Sequence, residues 1–279
     1  MAVVSVVAFP DFAPCPRAGV TITELGVADS VVSVWRTADG ERSSVRGARR
    51  KVMNDSAYIM DYDVPLGRPV TYEVEVISGP YGVRRVTSSA VTVAAVEGCL
   101  MDPLIPQSSV PISGGRSADG PYLRASALSS LEYQADVQVF NIMGSDKPLA
   151  LFGQRMAERN LDTSLSVRSA EQNAKLKKLL RSTAQLLFRP LPSWGEFDLP
   201  GTLFLANATA TQLPVDVSWG GELTWWDLKS DVVAAPAIRV LTAEFTHGDV
   251  QMLFSTYQQK QDAMAGKTYL DDLKNPLGG

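Results

Sequence analysis

Between Val3 and Val96 the chain turns every few residues, and the apolar positions between the turns repeat with a period of two. The strand-like runs are AVVSVVAF, AGVTITEL, SVVSVWRT, AYIMDYDV, VTYEVEV and RRVTSSAVTV. Val20 and Ile22 are set against Thr21 and Thr23, and Val74 and Val76 against Glu73 and Glu75. Successive side chains of an extended chain point to opposite faces, so this spacing places one face on a core and the other in water. Ala38-Asp39-Gly40, between SVVSVWRT and ERSSVRG, predicts a hairpin, because Asp-Gly readily takes the positive φ of a tight turn. Short half-apolar strands with regular turns over about 100 residues imply an antiparallel β-sandwich at residues 1–96.

The character changes at Glu97. MDPLIPQSSVPISGGRSADGPY is dense in Pro, Gly and Ser, which predicts a semi-extended linker over 97–122. Beyond it Val137, Val139 and Ile142 alternate, as do Leu161, Thr163, Leu165 and Val167. Ser169 with Gln172 forms a capping box, and Leu176, Leu179 and Leu180 fall on one face, so a helix is expected over 169–181. Lys175, Lys177, Lys178 and Arg181 crowd its second half, where cations complement the helix C-terminus. Strand patterns resume at QLLFRPL, TLFLANAT, PVDVSWGG, ELTWWDL and AIRVLTAEF. One helix among many strands, without regular β-α alternation, predicts a β-barrel or split barrel over 123–245. A second amphipathic helix from Gly248 through Lys260 and a short tail complete a C-terminal segment, 246–279. The fold class expected is mainly β, with an α+β second domain.

Composition narrows the chemistry. The 26 Lys and Arg against 30 Asp and Glu give a net charge of −4, the wrong sign for a dedicated nucleic-acid binder. No apolar run reaches the roughly 18 residues of a membrane helix. MAVVSVVAFPDFAPCP has no basic leader region and reads as a first strand, so a soluble chain made in a cytoplasm is expected. Cys15 and Cys99 are far apart in sequence with no metal-ligand spacing, which leaves two buried or loop thiols, or one bridge between them. His247 is the only histidine, so His-rich metal sites are excluded and a triad has a single candidate base without a nucleophile motif.

Gly266-Lys267-Thr268 imitates the end of a phosphate loop, but Gln261 stands where the leading glycine belongs. Asp61 with Asp63, and Asp271 with Asp272, are the carboxylate pairs available for glycosidic chemistry; solvated strand and tail carboxylates are the plainer reading. The basic run Arg46-Gly47-Ala48-Arg49-Arg50-Lys51 is expected in a solvated loop, with an acidic partner or polymer as the functional alternative. Trp35, Trp219, Trp225 and Trp226 are candidate interface aromatics. On a strand Trp225 and Trp226 point to opposite faces, so one belongs to a core and the other to a surface that a subunit or a sugar could cover.

PLGRPVTYEVEVIS resembles the strand in which fibronectin type III and related sandwiches place a corner tyrosine, which makes Tyr72 a buried ring with its hydroxyl bonded to nearby backbone. A wider resemblance covers nearly the whole chain. VSVWRTADGERSSVRGARR, IMDYDVPLGRPVTYEVEV, MDPLIP, LALFGQRMAERNLDTSLSVRSAEQNAKLKKLL and LLFRPLP follow one another in an order similar to the minor tail proteins of long-tailed phages that infect actinobacteria. That resemblance implies a tail-tip or distal-tail component, made in the host cytoplasm and carried in the virion tail. Its barrel would form a ring continuing the tail tube, with six subunits expected and three as the alternative, and its sandwich would project outward. The implied partners are copies of itself and other tail proteins such as tube and tip proteins, with a host-surface glycan as a further candidate. No catalytic residue, cofactor or metal comes with it. The alternative reading is a glycan- or receptor-binding accessory module.

Overall fold

The structure is a computed structural model that describes residues 2–114, 120–129, 132–133, 135–141, 143, 146–155, 159–194, 199–215, 223–236, 256–263 and 265. The chain divides into a large unit, Met1–Val240, and a small C-terminal unit, Leu241–Gly279. It is mainly β, with several antiparallel sheets.

The first hundred residues form two sheets. One has the order β1-β2-β6, from β1 (Val3–Phe9), β2 (Arg17–Thr23) and β6 (Ala57–Asp61). The other runs β4-β3-β7-β8, from β3 (Asp29–Ala38), β4 (Glu41–Ser44), β7 (Pro69–Ser78) and β8 (Arg84–Thr87); β5 (Lys51–Asn54) adds to β3 and β9 (Val91–Thr92) to β7. Val70, Tyr72, Val74 and Val76 of β7 are buried while Thr71, Glu73 and Glu75 between them are not, which is the period-two pattern realised. They meet Val20 and Ile22 of β2 and Val32 and Val34 of β3 in one core. Ala38 pairs with Glu41, so Asp39 (φ 51) and Gly40 (φ 81) make the two-residue turn between them. Both φ values are positive, the requirement Asp-Gly meets at low cost.

The described residues of 97–112 are not a linker but paired strands. Gly98–Asp102 is strand β10 and Ile105–Ile112 is strand β11, paired antiparallel, and all of β10 is buried. The second set of strands therefore begins at Gly98, not near 123. Two physical facts account for the Pro and Gly in and beside these paired strands. Pro106 and Pro111 sit in β11, whose ladder partner among the described residues is β10, and a strand paired along one side tolerates residues that cannot donate. Gly98 and Gly114 are needed because the Trp194 indole packs directly onto both backbones, where a Cβ would collide with it.

The main sheet of this region follows the order β11-β10-β17-β18-β19-β16-β12, built with β12 (Tyr122–Leu123), β16 (Leu165–Val167), β17 (Gln185–Arg189), β18 (Leu203–Val215) and β19 (Leu223–Val233); β15 (Leu161–Asp162) adds to β19. Ser113, just past β11, bridges Tyr122 of β12, which joins the two ends of that order and gives a barrel-like closure. Helix α1 (Ala170–Ser182) buries Leu176 and Leu179 in the core with Leu100, Ile112, Leu165, Phe188 and Trp226. The Ser169 side chain accepts from Gln172 N at its start, which is the N-cap half of the expected capping box; the reciprocal half is not made, because Gln172 Oε1 has no hydrogen-bond partner.

Strands β10 and β17 serve two cores at once. Cys99, Met101 and Leu187 face the sandwich core, whereas Leu100, Leu186 and Phe188 face the barrel core. The register, Cys99 to Arg189, Leu100 to Phe188 and Met101 to Leu187, keeps each set on its own face. In the small unit the described helix is α2 (Tyr257–Ala263), whose Gln259 N donates to Thr256 Oγ1. The rest of the helix expected from Gly248, and the strand AIRVLTAEF, lie outside the described residues.

Candidate assembly surface

Strands β13 (Ala135–Phe140) and β14 (Leu149–Arg155) form a two-stranded sheet of their own. Val137 pairs with Phe152, Val139 with Ala150, Gln138 with Leu151 and Phe140 with Leu149. Alternation then puts Val137, Val139 and Phe152 on one face and Phe140, Leu149 and Leu151 on the other. All six are exposed, Phe152 at 79%. A lone pair of strands is marginal in water, and clustered apolar exposure marks a surface meant to be covered. The alternation of Val137 and Val139 predicts a strand within the barrel region and gives no sign of this exposed surface. The available signal was the run Leu149-Ala150-Leu151-Phe152, which is apolar on both faces of its strand.

The candidate tryptophans divide. Trp226 is buried, and its indole N–H donates to Asn173 Oδ1 of α1 at 2.8 Å, so it is a core residue. Trp225 lies on the opposite face, half-buried, with the Arg124 guanidinium 4.5 Å from its ring centre and Arg124 paired to Asp227. Trp35 is half-buried on the outer face of β3. Arg42 stacks 3.9 Å over its ring, and its N–H donates to Glu75, which also holds Arg85. Cation–π stacking thus already occupies one ring face of Trp35 and of Trp225. Trp219 lies outside the described residues, as do His247, Gly266-Lys267-Thr268, Asp271 and Asp272.

Tyr72 is fully buried as expected, but its hydroxyl donates to the Asp61 carboxylate at 2.9 Å, not to backbone. Burial, with the Asp61 charge beside it, pushes this phenol far above its ordinary pKa. Asp61 also takes both bonds from Arg36, at 2.9 and 3.0 Å, and the backbone N–H of Asp63. Burial works against the charge on Arg36, yet Asp61 and Asp63 outweigh it and its pKa is raised. Asp63 receives a fork of two 2.6 Å bonds from Arg46. The expected solvated strand carboxylates are thus buried and committed to guanidinium groups. The expected solvated basic loop is corrected with them: Arg46, Val45 and Ala48 pack inward, Lys51 is half-buried, and of the charges in the run Arg49 and Arg50 are exposed.

Cys15 and Cys99 are both free and buried, so no bridge joins them. Burial pushes the Cys15 thiol up to about 12 and raises Cys99 too. Beside them Arg189 is fully buried, donating to Pro16 O at 2.7 Å and Val64 O at 3.3 Å, with Met101 Sδ 3.9 Å away and its Nε unpartnered.

Among the described residues no group of three or more His, Cys, Asp or Glu could hold a metal, and no helix is long and apolar enough to cross a membrane. What the described residues define is a mainly β protein with two cores sharing strands and an exposed apolar hairpin. No family model matches the chain, and no curated protein matches it.

Proposed function

We propose that this chain is a structural subunit of a phage tail, a minor or distal-tail component that assembles with copies of itself into a ring continuing the tail tube. The observation that carries the assembly reading is the β13–β14 hairpin, with apolar side chains exposed on both faces. Such an arm loses solvent-exposed apolar area when a neighbouring subunit covers it, at roughly 25 cal/mol per Å². A ring needs two different surfaces on each subunit that fit head to tail, and an exposed apolar strand pair supplies one. The order of sequence motifs supports the tail assignment in particular. The ordered interior charges of the sandwich, tied up by Arg36 and Arg46, suit a scaffold. On this reading the virion tail is the location, and tube and tip proteins are the neighbours.

The glycan-binding alternative has less behind it. A sugar stacking on the covered face of Trp35 or Trp225 has to displace Arg42 or Arg124 first.

Mass photometry and electron microscopy of the purified protein, alone and mixed with tail-tube protein, test the proposal. Rings or tube-capping assemblies are expected. The double variant Val139→Ser with Phe152→Ser should abolish them while the melting transition of the subunit stays in place. A protein that remains monomeric in both mixtures, with wild type and variant alike, removes the proposal.

A further inference from the structure

The last two turns of α1 carry Lys177, Lys178 and Arg181, none of which makes an ion pair with any described residue. With Ala174 and Ser182 they line a depression of about 400 Å³. It meets, at Arg181 and Ser182, a second cavity of about 280 Å³ walled by Thr183, Ala184, Asn207 and Ala210. No acidic side chain lines either one. Asn207 lies on β18 where the pairing with β19 slips between Ala206 and Thr209, and its backbone N–H bonds back to Ala184 O. The residue is only 9% exposed, and its two amide atoms, both buried behind the cavity wall, have no hydrogen-bond partner. Buried amides are almost always satisfied, so an orphaned donor and acceptor at the wall of the second cavity, which Arg181 also lines, call for a ligand that answers both.

We infer that this groove binds an extended acidic peptide segment of a neighbouring protein. The Asn207 amide turns about its side-chain torsions into the cavity and pairs with one peptide unit, its NH₂ to the C=O and its Oδ1 to the N–H. Lys177, Lys178 and Arg181 face the acidic side chains. A phosphodiester polymer carries only acceptors along its backbone and leaves Oδ1 unanswered, which is why a peptide fits better than such a polyanion. The strand slip beside Asn207 serves the same end, since bulges re-aim a side chain out of the ladder. This site uses none of the hairpin, so it stands or falls apart from ring formation.

Fluorescence anisotropy with a labelled peptide of about eight residues rich in Asp and Glu tests it, against the Asn/Gln counterpart, inorganic phosphate and polyphosphate as competitors. The acidic peptide should bind, more weakly as salt rises. Lys178→Glu with Arg181→Glu should lower affinity at least tenfold. Asn207→Leu should lower it at least tenfold and raise Tm, because an apolar side chain removes the orphaned polar atoms; Asn207→Asp, which keeps the shape, should lose binding too. Several results overturn the inference: no binding, equal binding of the neutral peptide, or full competition by polyphosphate with affinity indifferent to Asn207. A drop in Tm for Asn207→Leu with unchanged binding does so as well. Oligomer size, measured on the same samples, reports separately on the ring.

Discussion

Two arginines lie in the interior of the large unit with opposite surroundings. Arg36 is answered by the Asp61 carboxylate, which Tyr72 and the Asp63 amide also bond, whereas Arg189 has carbonyl oxygens, a thioether and two thiols around it. Removing one partner of a buried pair leaves the other charge uncompensated, typically at about 3–5 kcal/mol. Asp61→Ala is therefore expected to destabilise by that amount in urea denaturation. Tyr72→Phe, which loses one bond to a charged acceptor, should cost about 2 kcal/mol. The reverse ranking would show that the carboxylate is not the hub. The thiols carry a pH prediction. Because burial raises both, to about 12 for Cys15, the native state keeps protons that the unfolded chain gives up. Their contribution is complete below the unfolded thiol pKa of about 8.5 and is lost as pH rises toward the folded value, at up to about 1.4 kcal/mol per pH unit for each. Cys15→Ala should flatten the fall of stability between pH 9 and 11, and a thiol reagent should label neither cysteine until the protein is denatured.

At the scale of single elements, β10 shows why local composition failed. Cys99-Leu100-Met101 is apolar on both faces because a core lies on each side, yet it stands at the head of the Pro-, Gly- and Ser-rich run expected to be a linker. Helix α1 is the opposite case: cap, apolar face and basic last turns were all legible, since each is set within a turn or two of chain. Its Asn173 holds Trp226, so Trp226→Ala acts on folding, with a loss of about 3–5 kcal/mol. Trp225→Ala should cost about 1 kcal/mol or less, because that ring is half-exposed. Thermal melts of the two variants distinguish the faces, and equal losses would contradict the assignment.

For the whole of the large unit, the sandwich core is completed by Cys99, Met101, Leu187 and Leu191, which belong to chain beyond residue 96. A fragment of residues 1–96 is expected to show no cooperative melting transition, because residues such as Val64 and Leu66 lose cover that later strands provide. Limited proteolysis should likewise spare Gly98–Ile112 until global unfolding, since that backbone is paired. An early nick there, or a stable 1–96 fragment, would show that the cores are separable.

Period-two patterning, the Asp39-Gly40 turn and the Ser169 cap were determined by the sequence alone, because each depends on neighbours a few residues away. Whether Tyr72 met backbone or carboxylate, which tryptophan of the pair faced inward, and that β10 and β17 would stand between two cores were decided only by the tertiary structure. Those outcomes depend on groups 11 to 173 residues distant, as in Tyr72 to Asp61 and Arg189 to Pro16, and no local spacing encodes them.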